Sequence, residues 1–91
     1  MNLKQIKKAL KHELQIAIDA GEMMLVSHQL DIQLKSGARI KLEGDNLTQI
    51  EKEIENHKQT IQTLRENIAL MKKKMELLEK YNGEFETTGS N

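Results

Sequence analysis

The chain contains no cysteine and no proline, and its only aromatic residues are one tyrosine and one phenylalanine among 91 residues. The absence of cysteine excludes disulfides, thiolate metal sites and a cysteine nucleophile. With so few aromatic residues and 37% hydrophobic residues overall, the sequence is a poor fit for a thick globular core. We therefore expect one small domain.

The sequence also lacks an excess of charge and a long hydrophobic run. Its 14 Lys and Arg residues balance 14 Asp and Glu residues, which argues against a protein built mainly to neutralise nucleic-acid phosphates. Since no apolar run is long enough for a membrane span and no signal peptide is recognised, we expect a cytoplasmic protein. The abundance of Lys, Glu, Ile and Asn suggests an AT-rich genome, such as that of a low-GC bacterium or its phage.

What the sequence does have is an unbroken heptad stripe in its second half. Nine apolar residues and one histidine recur at alternating spacings of three and four, the 3.5-residue period of a coiled-coil seam. The stripe consists of Leu47, Ile50, Ile54, His57, Ile61, Leu64, Ile68, Met71, Met75 and Leu78. We predict that these residues form an oligomer interface. Ile at a and Leu at d favour a parallel homodimer, and a higher oligomer stays open. The alternative is packing of an ordinary amphipathic helix within one chain.

Ahead of the stripe, the sequence predicts a head formed by residues 1–44. A helix over residues 2–20 would begin at a capping box of Asn2 and Gln5 and end at Gly21. The coiled-coil helix would then cover residues 45–82, and residues 83–91 would form a disordered tail.

Between the two helices, an alternation of apolar and polar residues predicts a β-hairpin. Apolar residues occupy five of the six even positions over residues 24–34, and the alternation resumes over residues 38–42. A three-residue loop, Lys35-Ser36-Gly37, brings all these apolar residues to one face of the hairpin and places Gly37 where a left-handed residue is needed. The predicted fold class is therefore α+β, in the order short helix, β-hairpin and long coiled-coil helix.

The sequence offers no motif for catalysis. It has no Gly-rich phosphate loop, no His-x-x-x-His or Glu-x-x-His pair and no nucleophile elbow, so we predict no enzyme, no catalytic residue, no metal site and no cofactor. His57, the one polar residue of the stripe, is interpreted as a residue that fixes register or oligomer state. The alternative is a pH-sensitive or metal-binding layer of histidines.

These observations predict a small protein–protein interaction module that associates with itself and regulates, adapts or inhibits another, unidentified protein. The alternative is a dimeric nucleic-acid-binding protein that uses basic residues of the first helix and the hairpin. That patch, which would equally suit an acidic partner, would consist of Lys4, Lys7, Lys8, Lys11, Arg39 and Lys41.

Two stretches resemble known families. Ser27-His28-Gln29-Leu30-Asp31 resembles the Ser-x-x-Leu-Asp motif of small sporulation phosphatases, which are helical hairpins with this motif on a helix. The order helix, hairpin, helix resembles a β-type prefoldin subunit, which implies a chaperone. Neither resemblance is taken as a family assignment, because the first motif is predicted to lie on a strand and the two predicted helices differ in length.

Overall fold

The protein is a helical hairpin in a computed structural model that describes residues 1–83. Helix α1 covers Leu3–Arg39 and helix α2 covers Gly44–Lys80, and each is 37 residues long. Residues 40–43 join them, and the two helices lie antiparallel along a molecule 60 Å in length. Apart from Gly83, the predicted disordered tail lies outside the described residues.

The predicted β-hairpin is wrong, and so is the α+β fold class. Within residues 1–83 there is no strand, and the segment over residues 24–34 lies inside α1. The predicted loop residues Lys35, Ser36 and Gly37 continue the same helix, which ends only at Arg39. The head predicted over residues 1–44 is therefore one long helix and a short connection.

The alternation that suggested a strand arises because α1 is apolar on two opposite faces. Leu25, His28 and Ile32 are half-buried towards α2, whereas Val26, Leu30 and Leu34 share the opposite face and are exposed. Residues from both faces fall at even positions, so a helix with two apolar faces imitates the period of two. The alternation of apolar residues is present in the sequence, but only the residues of one helix face belong to the core.

Gly21 does not end the first helix, because it is a point where the two helices approach each other closely. It is buried, and a Cβ atom added there would lie 3.0 Å from Ile68 Cγ1 and 3.3 Å from Ile68 Cδ1. A glycine inside a helix costs roughly 0.5–1 kcal/mol relative to alanine. Here it removes the side chain that would hold α1 away from Ile68.

The heptad stripe of α2 is the seam of the hairpin. Its ten residues are all buried or half-buried in the single chain, and the fully buried ones are Ile54, Ile61, Ile68 and Leu78. Leu14 and Ile18 of α1 complete the buried core. Since α1 is as long as α2, it covers the entire stripe within one chain, and contact between copies through these residues stays a prediction.

The ends of the helices follow the capping rules in part. The predicted capping box is confirmed: Gln5 N–H donates to Asn2 Oδ1 at 2.9 Å, and Asn2 N–H donates to Gln5 Oε1 at 3.0 Å. The N-cap of α2 is Glu43, which makes no side-chain capping bond. Gly44 follows with φ of 65°, a conformation that favours glycine.

Candidate functional site

A polar layer crosses the seam of the hairpin around His57. Its d position in α2 points at α1, where His28 occupies the facing position. The two Nδ1 atoms lie 2.8 Å apart, and the imidazole rings are tilted by 51°. His57 therefore meets a histidine of its own chain, whereas the sequence interpretation placed it against other copies.

Lys35 fixes the direction of the hydrogen bonds in this layer. Its Nζ lies 2.9 Å from His57 Nε2, and an ammonium group can only donate. Nε2 of His57 must then accept, so the ring proton of a neutral His57 sits on Nδ1 and is donated to His28 Nδ1. In that tautomer, His28 Nδ1 is the acceptor of the hydrogen bond between the two rings.

Glu53 completes the chain of polar contacts on the α2 side. Its carboxylate lies 3.1 Å from Lys35 Nζ and accepts a hydrogen bond of 3.0 Å from the Gln49 amide. The Gln49 hydrogen bond, followed by the hydrogen bond and charge of Lys35, lowers the pKa of Glu53 below its usual value. The contacts of the layer follow the order Glu53, Lys35, His57 and His28. Each contact between two neighbours in this order joins one donor to one acceptor.

Asp31 brings a third possible metal ligand to the histidine pair. One ligand atom from each of His28, Asp31 and His57 can be chosen so that all three lie within 4.8 Å of one another, and the three residues are half-buried. His28 and Asp31 are three residues apart and therefore share a face of α1. On a strand, residues three positions apart point to opposite faces. The predicted strand therefore separated His28 from Asp31, and the cluster could not be recognised from the sequence.

The predicted basic patch is divided between the two ends of the molecule. Lys4, Lys7, Lys8 and Lys11 lie near the start of α1, whereas Arg39 and Lys41 lie at the connection, and Lys11 and Arg39 are about 42 Å apart along the helix axis. Lys7 donates to the carbonyl oxygens of Glu79 and Tyr81, and Lys11 pairs with the Glu79 carboxylate at 2.8 Å. The hydrogen bond and charge of Lys11 lower the pKa of Glu79.

A second apolar stripe runs along α1 on the side opposite α2. Its large residues recur at spacings of 7, 3, 4 and 4, so they share one face of the helix. They are Ile16, Met23, Val26, Leu30 and Leu34, and their exposed fractions range from 51% to 73%. We call these five residues the outer stripe. Met23, Val26 and Leu30 line a shallow groove within it.

The corresponding side of α2 is polar around the middle of the helix, whereas Leu70 and Leu77 are exposed nearer its C-terminal end. Asn56, Gln59, Thr60 and Thr63 line its surface groove, and each of them is exposed. Burial within one chain explains the seam of α2 but not the outer stripe of α1. The sequence did not reveal the outer stripe, because several of its residues were predicted to lie on the apolar face of the β-hairpin.

One difference from each of the two families disappears in the structure, but no additional residues support either resemblance. Ser27–Asp31 does lie on a helix of a helical hairpin, and the two helices are equal in length. The β-hairpin on which the prefoldin resemblance depended is absent from residues 1–83. The phosphatase resemblance still rests on five residues.

Neither helix described over residues 1–83 is apolar along enough of its length to cross a bilayer. Comparisons of the chain with protein-family models, with curated proteins and with solved structures find no match.

Proposed function

We propose that this chain is a non-enzymatic interaction module that associates with a second copy of itself and acts as a regulator, adaptor or inhibitor of another protein, in the cytoplasm. The observation that carries the proposal is the outer stripe of α1. Helices with apolar residues on two opposite faces are usually buried between neighbours, and the chain supplies a neighbour on one side only over the described residues 1–83.

A second copy is the occupant that this surface suits best. The outer stripe spans roughly 27 Å from Ile16 to Leu34, long enough for several turns of helix–helix packing. The formal charge of zero leaves no strong repulsion between identical chains. A two-helix hairpin also has a thin core, and small domains commonly gain stability by oligomerisation. The proposed contact between copies is thus the outer stripe of α1, while the α2 seam holds each chain together.

The experiment is a mass measurement on a variant that loses only the outer stripe. Met23→Glu with Leu30→Glu places two carboxylates on side chains that are already exposed in the single chain, so the hairpin should fold. We expect the molar mass from light scattering to fall from that of a dimer to that of a monomer, with unchanged helicity. Like charges facing each other across the contact would oppose association.

The matched control adds the same charge to the outer side of α2. Gln59→Glu with Thr63→Glu places two carboxylates one helical turn apart on an exposed, polar surface, so this variant should keep the mass of the unsubstituted chain. A monomeric mass for the unsubstituted chain, or a Met23/Leu30 variant that remains dimeric, would contradict the proposed contact.

Nucleic-acid binding is less well supported as an alternative function. The basic residues that suggested it lie at two ends of the hairpin, and Lys7 and Lys11 are engaged by α2 or the residue that follows it. A titration with duplex DNA at low and high salt tests it, because phosphate contacts give a steep salt dependence. Absence of binding at low salt would eliminate it.

A further inference from the structure

We propose that His28, Asp31 and His57 form a binding site for one divalent transition metal ion of the zinc class. These three residues come from both helices, and their ligand atoms already lie within 4.8 Å of one another. Two imidazole nitrogens and one carboxylate oxygen are donors that zinc commonly takes in proteins. Magnesium and calcium prefer sites made of oxygen alone, so they fit this set poorly.

The histidine pair needs only a small adjustment to bind an ion. In tetrahedral coordination with Zn–N bonds of about 2.0–2.1 Å, two ligand nitrogens are separated by roughly 3.3 Å. The Nδ1 atoms of His28 and His57 lie 2.8 Å apart, with the shared proton between them. An increase of about half an ångström, within the reach of small side-chain rotations, lets a metal ion replace that proton.

Asp31 supplies the third ligand from the same face of α1 as His28. Its carboxylate offsets part of the charge that the ion brings into a half-buried layer. Three protein ligands leave the fourth position for a water molecule, an arrangement typical of open zinc sites. Because the ligands join α1 to α2, the bound ion also stabilises the folded hairpin.

Lys35 competes with metal binding because it holds His57 in the tautomer that does not bind the ion. When Nδ1 of His57 ligates the metal, its Nε2 carries the ring proton and becomes a donor that faces the Lys35 ammonium. Lys35 must therefore release His57 before the ion can bind. Its ion pair with Glu53 gives the ammonium another partner. Removal of this competitor, as in Lys35→Met, should tighten metal binding several-fold.

The test is a titration of the full chain with Zn²⁺ by calorimetry and with Co²⁺ by visible absorption, which reports tetrahedral coordination. We expect one ion per chain. His57→Leu should weaken binding at least ~100-fold, more than the tenfold to hundredfold loss caused by outer-shell changes. Leucine suits a d position of the seam, so circular dichroism should show full helicity and separate loss of the site from loss of the fold.

Two matched controls use residues of the same type outside the cluster. His12 and Asp19 are exposed residues of α1, so His12→Ala and Asp19→Asn should leave the affinity unchanged, while Asp31→Asn should lower it. No saturable binding up to ~1 mM Zn²⁺ would overturn the proposal. So would binding that survives His57→Leu, that disappears with His12→Ala, or that requires two chains for each ion.

Discussion

Replacement of Ile61 by aspartate should unfold the hairpin. Ile61 is 7% exposed at the middle of the α2 seam, where it packs against α1 within the same chain. The substitution removes a buried isoleucine and places an unpaired carboxylate in an apolar layer, which together cost about 6 kcal/mol. Small domains have a total stability of only about 5 kcal/mol at the low end. Far-UV circular dichroism should therefore show a large loss of helicity at room temperature.

The control is the neighbouring residue on the exposed side of the same turn. Gln62→Asp adds the same carboxylate without burying it, and exposed substitutions change stability by about 0.5 kcal/mol or less. Its thermal melt should nearly coincide with that of the unsubstituted chain. If Ile61→Asp kept its helicity and only lost molar mass in light scattering, the stripe would join copies, as the sequence alone predicted.

The heptad period of α2 could be predicted from the sequence because every stripe residue packs against the same neighbouring surface. All ten positions face α1, and polar residues fill most of the other sides of the helix. What the period could not identify was the neighbour. A seam looks the same whether it packs on its own chain or on another, and the choice depended on the length predicted for the first helix.

That length was underestimated because α1 breaks two local rules at once. Gly21 is typical of a helix end, but tertiary packing on Ile68 overrides its low helix propensity. The seam of α1 also contains Lys7, His28 and Lys35, so its own heptad period is hidden beneath polar residues. The exposed outer stripe then supplied a false alternation.

The candidate metal site was partly foreseen. His57 stood out in the sequence as the only polar residue of an apolar stripe, and a histidine layer was the alternative interpretation. The other two ligands, His28 and Asp31, could not be found because they belong to α1, the helix that the predicted hairpin divided. On a helix, the His28 and Asp31 spacing of three residues would have indicated one shared face.

The close approach at Gly21 leads to a second large effect, which a larger side chain there should reveal. Gly21→Leu should destabilise the hairpin by about 2 kcal/mol, because overpacking against Ile68 costs up to ~3 kcal/mol and leucine's helix propensity returns ~1 kcal/mol. Ile68 Cγ1 is attached close to the backbone of Ile68, so it cannot move aside freely. The two helices must therefore separate locally. Urea unfolding measures the loss.

An alanine pair separates packing from helix propensity in the same helix. A Cβ atom added at Gly37 would meet no other atom within 4 Å, so Gly37→Ala should stabilise the hairpin by about 0.5–1 kcal/mol. Gly21→Ala brings the same propensity but requires Ile68 to shift by a few tenths of an ångström, so its net effect should be near zero. Equal gains at both glycines would mean that α1 and α2 do not meet closely at Gly21, and the register that places His28 opposite His57 would then fail as well.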